Sequence, residues 1–307
     1  MRTGISFETI ELSLTNFCQL SCQGCPSFSL DSPRKQELNI DRLIEKISPF
    51  EVERFLLCGN SGEPLEHSEI KKLIIELGRK FPKTKIHIAT NGEMITRIFS
   101  KDDLNSFPST LYFEVALDGS TQTIHEITRK NGNHSLVLET IAFLSQSEVS
   151  YDVVFSRHEL NQHDAKKTND LIENLTGKHL LFRDTTIVNE AIKPPSQMST
   201  TGDVSILYQA DRSLKNHKVT PFKKYLYVDT NGDCYPCVSF TKKKTTQSPP
   251  NLYNDESWAS FIKHYFDFSP RFCDEYQKNG DRRQCVLNCE VYRTFRYDTA
   301  KSLGLNL

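Results

Sequence analysis

Short strand-like runs alternate with helical patterns through the first 184 residues, and this alternation does most to narrow the folds available. "TIELSL" (9–14), "RFLLC" (54–58), "KIHIA" (85–89), "LYFEVAL" (111–117), "YDVVFS" (151–156) and "HLLFR" (179–183) have strand-like length and apolar content. Apolar residues at helical spacing follow at 40–47, 68–81, 94–104, 135–146 and 164–175. A strand followed by a helix re-enters its sheet parallel, through a right-handed crossover. The six strands therefore read as an α/β fold, either partly closed into a barrel or left open as a doubly wound sheet.

The chemically suggestive segments fall just after strands: 15–25 after the first, 59–66 after the second, 90–92 after the third and 118–129 after the fourth. Parallel α/β folds gather their active sites at those carboxyl ends. Residues 185–222, with "KPPSQMSTTGD" (193–203), are polar and read as a linker or mobile excursion. "YLYVDTNGDCYPC" (225–237) reads as a hairpin turning at Asn231-Gly232, and "ESWASFIKHYF" (256–266) as an amphipathic segment. The expected organisation is a core over 1–184, the excursion over 185–222, and a small Cys-rich domain with a β-hairpin over 223–307.

With 37% hydrophobic and 25% charged residues in 307, the chain can bury a core; Lys+Arg 38 against Asp+Glu 39 makes nucleic acid an unlikely partner. Lys242-Lys243-Lys244 reads as a solvated loop. The opening "MRTGISFETIELSL" lacks a signal peptide's apolar region, and no stretch is long enough to span a bilayer. A cytoplasmic location with reduced thiols and no membrane partner is the expectation.

Nine cysteines fall as Cys18, Cys22, Cys25; then Cys58; then Cys234, Cys237, Cys273, Cys285, Cys289. In a reducing compartment such clustering argues for metal or cluster ligation over disulfides. A structural zinc takes four ligands, usually as two close pairs, whereas the first group is a triplet with Cys58 and His67 on other loops as candidates for a fourth. Three thiolates on one loop suit a [4Fe–4S] cube with one iron left open. "CGNSGEP" (58–64) brings glycines that admit close backbone approach, with Glu63 as the nearby acid, and "TNG" (90–92) brings hydrogen-bonding groups.

C-x3-C-x2-C after the first strand, Gly62-Glu63-Pro64 after the second and "ALDGSTQTIHEITR" (116–129) after the fourth resemble the radical S-adenosylmethionine (SAM) superfamily. The last stretch is similar to members with a C-terminal auxiliary-cluster domain, called SPASM or, when shortened, twitch. The resemblance runs from residue 9 to about 290. It implies a partial (β/α)6 barrel in which Cys18, Cys22 and Cys25 hold a SAM-binding [4Fe–4S] cluster. Gly62, Glu63, Pro64, Asn91, Asp118 and Arg129 would contact SAM, with Glu63 near its amino group. The implied activity is reductive cleavage of SAM to a 5′-deoxyadenosyl radical, which abstracts hydrogen from a peptide, protein or small molecule. An external donor such as flavodoxin or ferredoxin would supply the electron. Where the family often has an aromatic residue before the third cysteine, this chain has Gly24.

The resemblance extends to Gly232-x4-Cys237, which would open the auxiliary domain, with Cys273, Cys285 and Cys289 completing four ligands to one auxiliary [4Fe–4S] cluster. The upstream cysteine expected near Phe222 is missing, which favours the shortened form. Cys234 is surplus: on a regular strand, positions 234 and 237 point oppositely, and Cys237 is the preferred ligand. A zinc ribbon of Cys234, Cys237, Cys285 and Cys289 is the alternative for this group.

Cys58 reads as a packed apolar thiol and His87 as a core residue. His125 and Arg129, at i, i+4 spacing, either form a structural pair with Asp118 or touch SAM's carboxylate. Arg157 is placed to reach substrate or SAM. Only about ten residues precede the first strand, which reads against a fused peptide-recognition domain. The rival functions are a non-catalytic zinc-binding interaction protein and a cluster protein that only passes electrons. No residue pattern names the substrate or a catalytic base.

Overall fold

A computed structural model describes residues 4–22, 25, 35–58, 62–157, 160–184, 225–235 and 248–264. Gly24, the segment 185–222, the lysine run at 242–244 and Cys237, Cys273, Cys285 and Cys289 lie outside the described residues.

The chain forms β1 (Ser6–Leu12), α1 (Ile40–Ile47), β2 (Glu51–Leu57), α2 (Ile70–Lys80), β3 (Lys85–Thr90), α3 (Ile95–Ile98), α4 (Lys101–Ser106) and β4 (Leu111–Ala116). Then come α5 (Gln122–Thr128), α6 (His134–Ser145), β5 (Ser150–Arg157), α7 (Ala165–Thr176), β6 (Leu181–Asp184), β7 (Tyr225–Val228), β8 (Cys234–Tyr235) and α8 (Asp255–Lys263). Local signals set several of the helix boundaries. Asn39, Thr121, Asn133 and Asn254 cap α1, α5, α6 and α8 by accepting a backbone N–H of the first turn. The helix expected over 94–104 is two short ones, because Ser100 and Asp103 form a capping box that starts α4 afresh after Phe99.

The strands make one sheet in the order β6-β5-β4-β3-β2-β1-β7-β8, and only the β7–β8 pairing is antiparallel. The expected hairpin thus extends the core sheet: β7 lies beside β1, with Ile10 opposite Leu226 and Leu12 opposite Val228. The segment leading into α8 is tied to the start of α1, since Asn39 N–H donates to Tyr253 Oη (3.0 Å) and Arg42 Nε to Leu252 O (3.2 Å).

Strand alternation gives the sheet two different faces. Ile10, Leu12, Phe55, Leu57, Ile86, Ile88, Phe113, Val115 and Phe155 are fully buried, in one core with Ile40, Leu43, Leu73, Ile74, Leu77, Val137 and Ile141 from the helices. Burying each such side chain contributes about 1.5–3 kcal/mol, enough to fix strand register. On the other face the register lines up Thr9 with Arg54 and Tyr225, Glu11 with Tyr227, His87 with Tyr112, and Glu114 with Asp152. These groups bond across strands: Arg54 Nη2 to Thr9 Oγ1 (3.0 Å), Tyr112 Oη to Asp152 Oδ2 (2.7 Å), and Glu114 to His87 (3.3 Å) and Arg183. The face opposite this core is therefore polar, and it leads up to the strand ends where the motifs sit.

Candidate active site

The loop after β1 is pinned before its first cysteine is reached. Thr15 Oγ1 donates to Gln36 O (2.9 Å), Phe17 N–H donates to Thr15 Oγ1 (3.2 Å), and Asn16 Oδ1 accepts from Gln36 N–H (2.7 Å). The loop after β2 then lies directly on it, with Glu63 N–H donating to Phe17 O (2.8 Å). Glycine is required at position 62: a Cβ there would stand 2.5 Å from Phe17 O, 2.7 Å from Phe17 N and nearer still to Thr15 O. From the other side, Ser21 N–H donates to Lys130 O (2.9 Å), tying the cysteine loop to the segment after α5.

Cys18, Cys22 and Cys25 are partly buried free thiols. Burial pushes the Cys18 thiol up to about 12 and raises Cys22, with Arg129 opposing at Cys22. Around Cys18 Sγ stand two N–H donors, Leu20 N (3.4 Å) and Asn91 Nδ2 (3.9 Å).

Glu63 is buried at the end of β2, and its carboxylate accepts from Thr90 Oγ1 (2.6 Å), Asn91 N–H (2.9 Å) and Leu65 N–H (3.2 Å). Burial pushes it up to about 7 against the pull of those donors. Glu63 thus bonds both the loop after β1, through Phe17 O, and the loop after β3, through Asn91 N–H.

Buried Asp118 and partly buried Arg129 form an ion pair, Nε to Oδ2 at 2.7 Å. Asp118 Oδ1 also accepts from Ser156 N–H (2.8 Å), so this carboxylate serves the protein's own frame. Arg129 lies near enough to Cys22, Glu63 and Glu93 to act on their charges. His125 is fully buried, takes the Asp118 N–H on Nδ1 (3.3 Å), and is held down to about 3 by burial and Arg129.

Other expectations resolve differently. Cys58 is partly buried, and its thiol donates to Glu11 Oε1 (2.8 Å) on the polar face. His87 lies partly buried against Glu114 and Tyr112. The Arg157 guanidinium stacks over Phe182 at 5.8 Å. Cys234 is completely buried in the apolar core with Val228 and Leu252, and burial raises its thiol well above the ordinary range. Sequence reasoning missed Gln19 and Glu93. Gln19 Nε2 donates to Asn91 Oδ1 (3.3 Å), and buried Glu93 accepts from Asn133 N–H (2.6 Å). Their only sequence signal is adjacency to Cys18 and to the "TNG" turn.

The family model described as the Radical SAM superfamily matches residues 12–172, just over half of the chain. The chain belongs to the radical SAM superfamily. Among solved structures, Streptococcus suis SuiB bound to precursor peptide SuiA is similar at TM-score 0.58 and 12% identity, covering 94% of this chain and 71% of that one. SuiB bound to S-adenosylmethionine gives TM-score 0.57 at 11% identity, with 94% and 72% covered. Native anSMEcpe with bound AdoMet gives TM-score 0.53 at 15% identity, with 94% and 95% covered. At these identities the likeness is one of fold, the partial barrel of radical SAM enzymes. No curated protein sequence matches. Radical SAM membership implies an enzyme that uses SAM and a [4Fe–4S] cluster. No described helix is long and apolar enough to cross a membrane.

The residues present fit that cofactor set. Among the described residues no three His, Cys, Asp or Glu side chains are grouped for a single metal ion. A cube makes no such demand, because each thiolate holds a different iron. The two N–H donors at Cys18 suit a thiolate, the ligating form.

Proposed function

We propose that this radical SAM enzyme oxidises or otherwise modifies a peptide or protein substrate, with a small molecule as the alternative. The observation that carries the reading is the packing of three loops: Phe17–Cys18, Gly62–Pro64 and Asn91 join beyond the carboxyl ends of β1, β2 and β3. Cys18, Cys22 and Cys25 would hold the [4Fe–4S] cluster, leaving one iron for SAM. When bound and reduced, this pair supplies the reductive cleavage of SAM and a 5′-deoxyadenosyl radical that takes hydrogen from the substrate.

The chain's own part is placement. Glu63 uses three of its roughly four acceptor positions on Thr90, Asn91 and Leu65, which leaves one for the amino group of SAM. Gly62 and Pro64 set the height of that carboxylate over the cysteine loop. Asp118 and Arg129 hold the fourth loop as an ion pair, and Arg129 places positive charge beside the thiolates and SAM's carboxylate. We further propose a C-terminal auxiliary domain over 223–307 of the shortened SPASM type, with Cys237, Cys273, Cys285 and Cys289 as ligands of one [4Fe–4S] cluster. Cys234 is left out because its thiol is committed to the core. The peptide reading is supported by the precursor peptide bound to SuiB.

Anaerobic reconstitution should give a brown protein with about eight irons per chain, from two four-iron clusters. Dithionite plus SAM should then release 5′-deoxyadenosine. Replacing Cys18, Cys22 and Cys25 with Ala should abolish this release and retain about four irons. Stoichiometric zinc without iron would make the chain a zinc-binding interaction protein. Intact clusters without SAM cleavage would make it an electron carrier.

A further inference from the structure

We infer that Asn91 is a positioning residue that sets the reduction potential of the cluster through Cys18, an inference that rests on the cluster assignment proposed above. The side-chain amide of Asn91 is locked in one orientation. Its Oδ1 accepts two hydrogen bonds, from Gln19 Nε2 (3.3 Å) and from Glu93 N–H (3.0 Å). An amide oxygen bound to two donors fixes which end of the group is nitrogen, so Nδ2 points at Cys18 Sγ, 3.9 Å away.

Gln19 also lies near enough to the buried carboxylate of Glu93 to favour its charged form. Glu93 in turn accepts Asn133 N–H at the start of α6 (2.6 Å), so the lock is anchored in a helix that packs into the core. A contact from Cys18 Sγ to Gln19 Oε1 (3.9 Å) exists only while the sulfur carries a proton. Once Cys18 is a thiolate, the donors that remain to it among the described residues are Leu20 N–H and the Asn91 amide. Backbone cannot be varied by evolution at Leu20, whereas the amide can. Hydrogen bonds to ligating sulfur offset the extra negative charge of the reduced cluster and raise its potential.

The test is the midpoint potential of the SAM-responsive cluster, followed by electron paramagnetic resonance in the reconstituted full chain without SAM. SAM is added afterwards only to identify which signal responds. Asn91→Leu and Asn91→Asp should each shift the reduction equilibrium at least tenfold toward the oxidised form, about 59 mV for a one-electron couple. Gln19→Leu frees the amide without removing a donor to the thiolate and should shift it the same way by less. Clusters assembled at wild-type potential in these variants would overturn the inference. So would weakened SAM binding at unchanged potential, which would assign Asn91 to SAM itself. If the Asn91 variants hold no cluster, an unshifted Gln19→Leu protein overturns it. A wild-type chain that takes up no [4Fe–4S] cluster is a separate result and removes the underlying assignment.

Discussion

Substituting Gly62 by Ala should separate the cysteine loop from its support without touching a cysteine. The new Cβ would meet three backbone atoms of Thr15 and Phe17, at 2.5 Å and 2.7 Å for the two of Phe17. Backbone cannot rotate away as a side chain can, so the 58–64 turn or the 15–18 loop must move. Overpacking of this kind costs about 1–3 kcal/mol, and loss of the bond from Glu63 N–H to Phe17 O adds about 1 kcal/mol. The sum is about 2–4 kcal/mol, concentrated where Cys18 and Glu63 are held. Thermal unfolding of the cluster-free chain should show a lowered Tm, and reconstitution should bind less iron at the SAM-responsive site. Gly177→Ala is the control: its φ of +71° makes a side chain costly by about 1–2 kcal/mol, but nothing lies within 4 Å of the new Cβ and the position is remote from the cysteines. It should lower Tm and leave iron binding intact. A Gly62→Ala chain with wild-type Tm and iron content would refute the argument that these loops are stacked as described.

Three further outcomes are expected. Arg129→Met leaves Asp118 buried without its cation and should cost about 3–5 kcal/mol in urea unfolding, while Arg129→Met with Asp118→Asn should cost less than the single change. Glu63, held up to about 7 against an ordinary 4.5, keeps a proton that the unfolded chain releases, so it costs stability as pH rises between those values. Before cofactor loading, wild type should therefore lose stability relative to Glu63→Gln across that window, by about 1.4 kcal/mol per pH unit. Cys234→Ala should lower stability by about 1 kcal/mol and leave iron per chain unchanged, as a core thiol would and a ligand would not.

Much of this was legible in the sequence because hydrophobic periodicity and strand-end position are local properties. All six core strands lie within a few residues of their expected places, and Asn91 bonds Glu63 and Cys18 from neighbouring strand ends. What was missed depended on distant partners or on short polar elements. Helix α5 has seven residues, with only His125 and Thr128 buried, too few to show a stripe. Cys58 looked apolar in its own strand, and only the pairing of β1 with β2 brings Glu11 beside it. The expected hairpin was found, but its pairing to β1 was not, since nothing local in "YLYV" names a partner so far back in the chain. Glu93 and Gln19 carry no motif, and their importance appears only once Asn91 and Cys18 are neighbours.

The pairing of β7 with β1 also has a bearing on the order of events in the cell. The strand that delivers the cysteine loop is an interior strand, flanked by β2 on one side and β7 on the other. The first partner is made at once, but the second is synthesised only after the whole parallel array. Until residue 228 is available, β1 is an edge, with the backbone of Thr9 to Leu12 unpaired on that side. Such long-range pairing closes slowly, so the strand that carries the cysteine loop gains its second neighbour well after its first. On the ligand set proposed above, the thiols of that loop need protection from oxidation until this pairing closes.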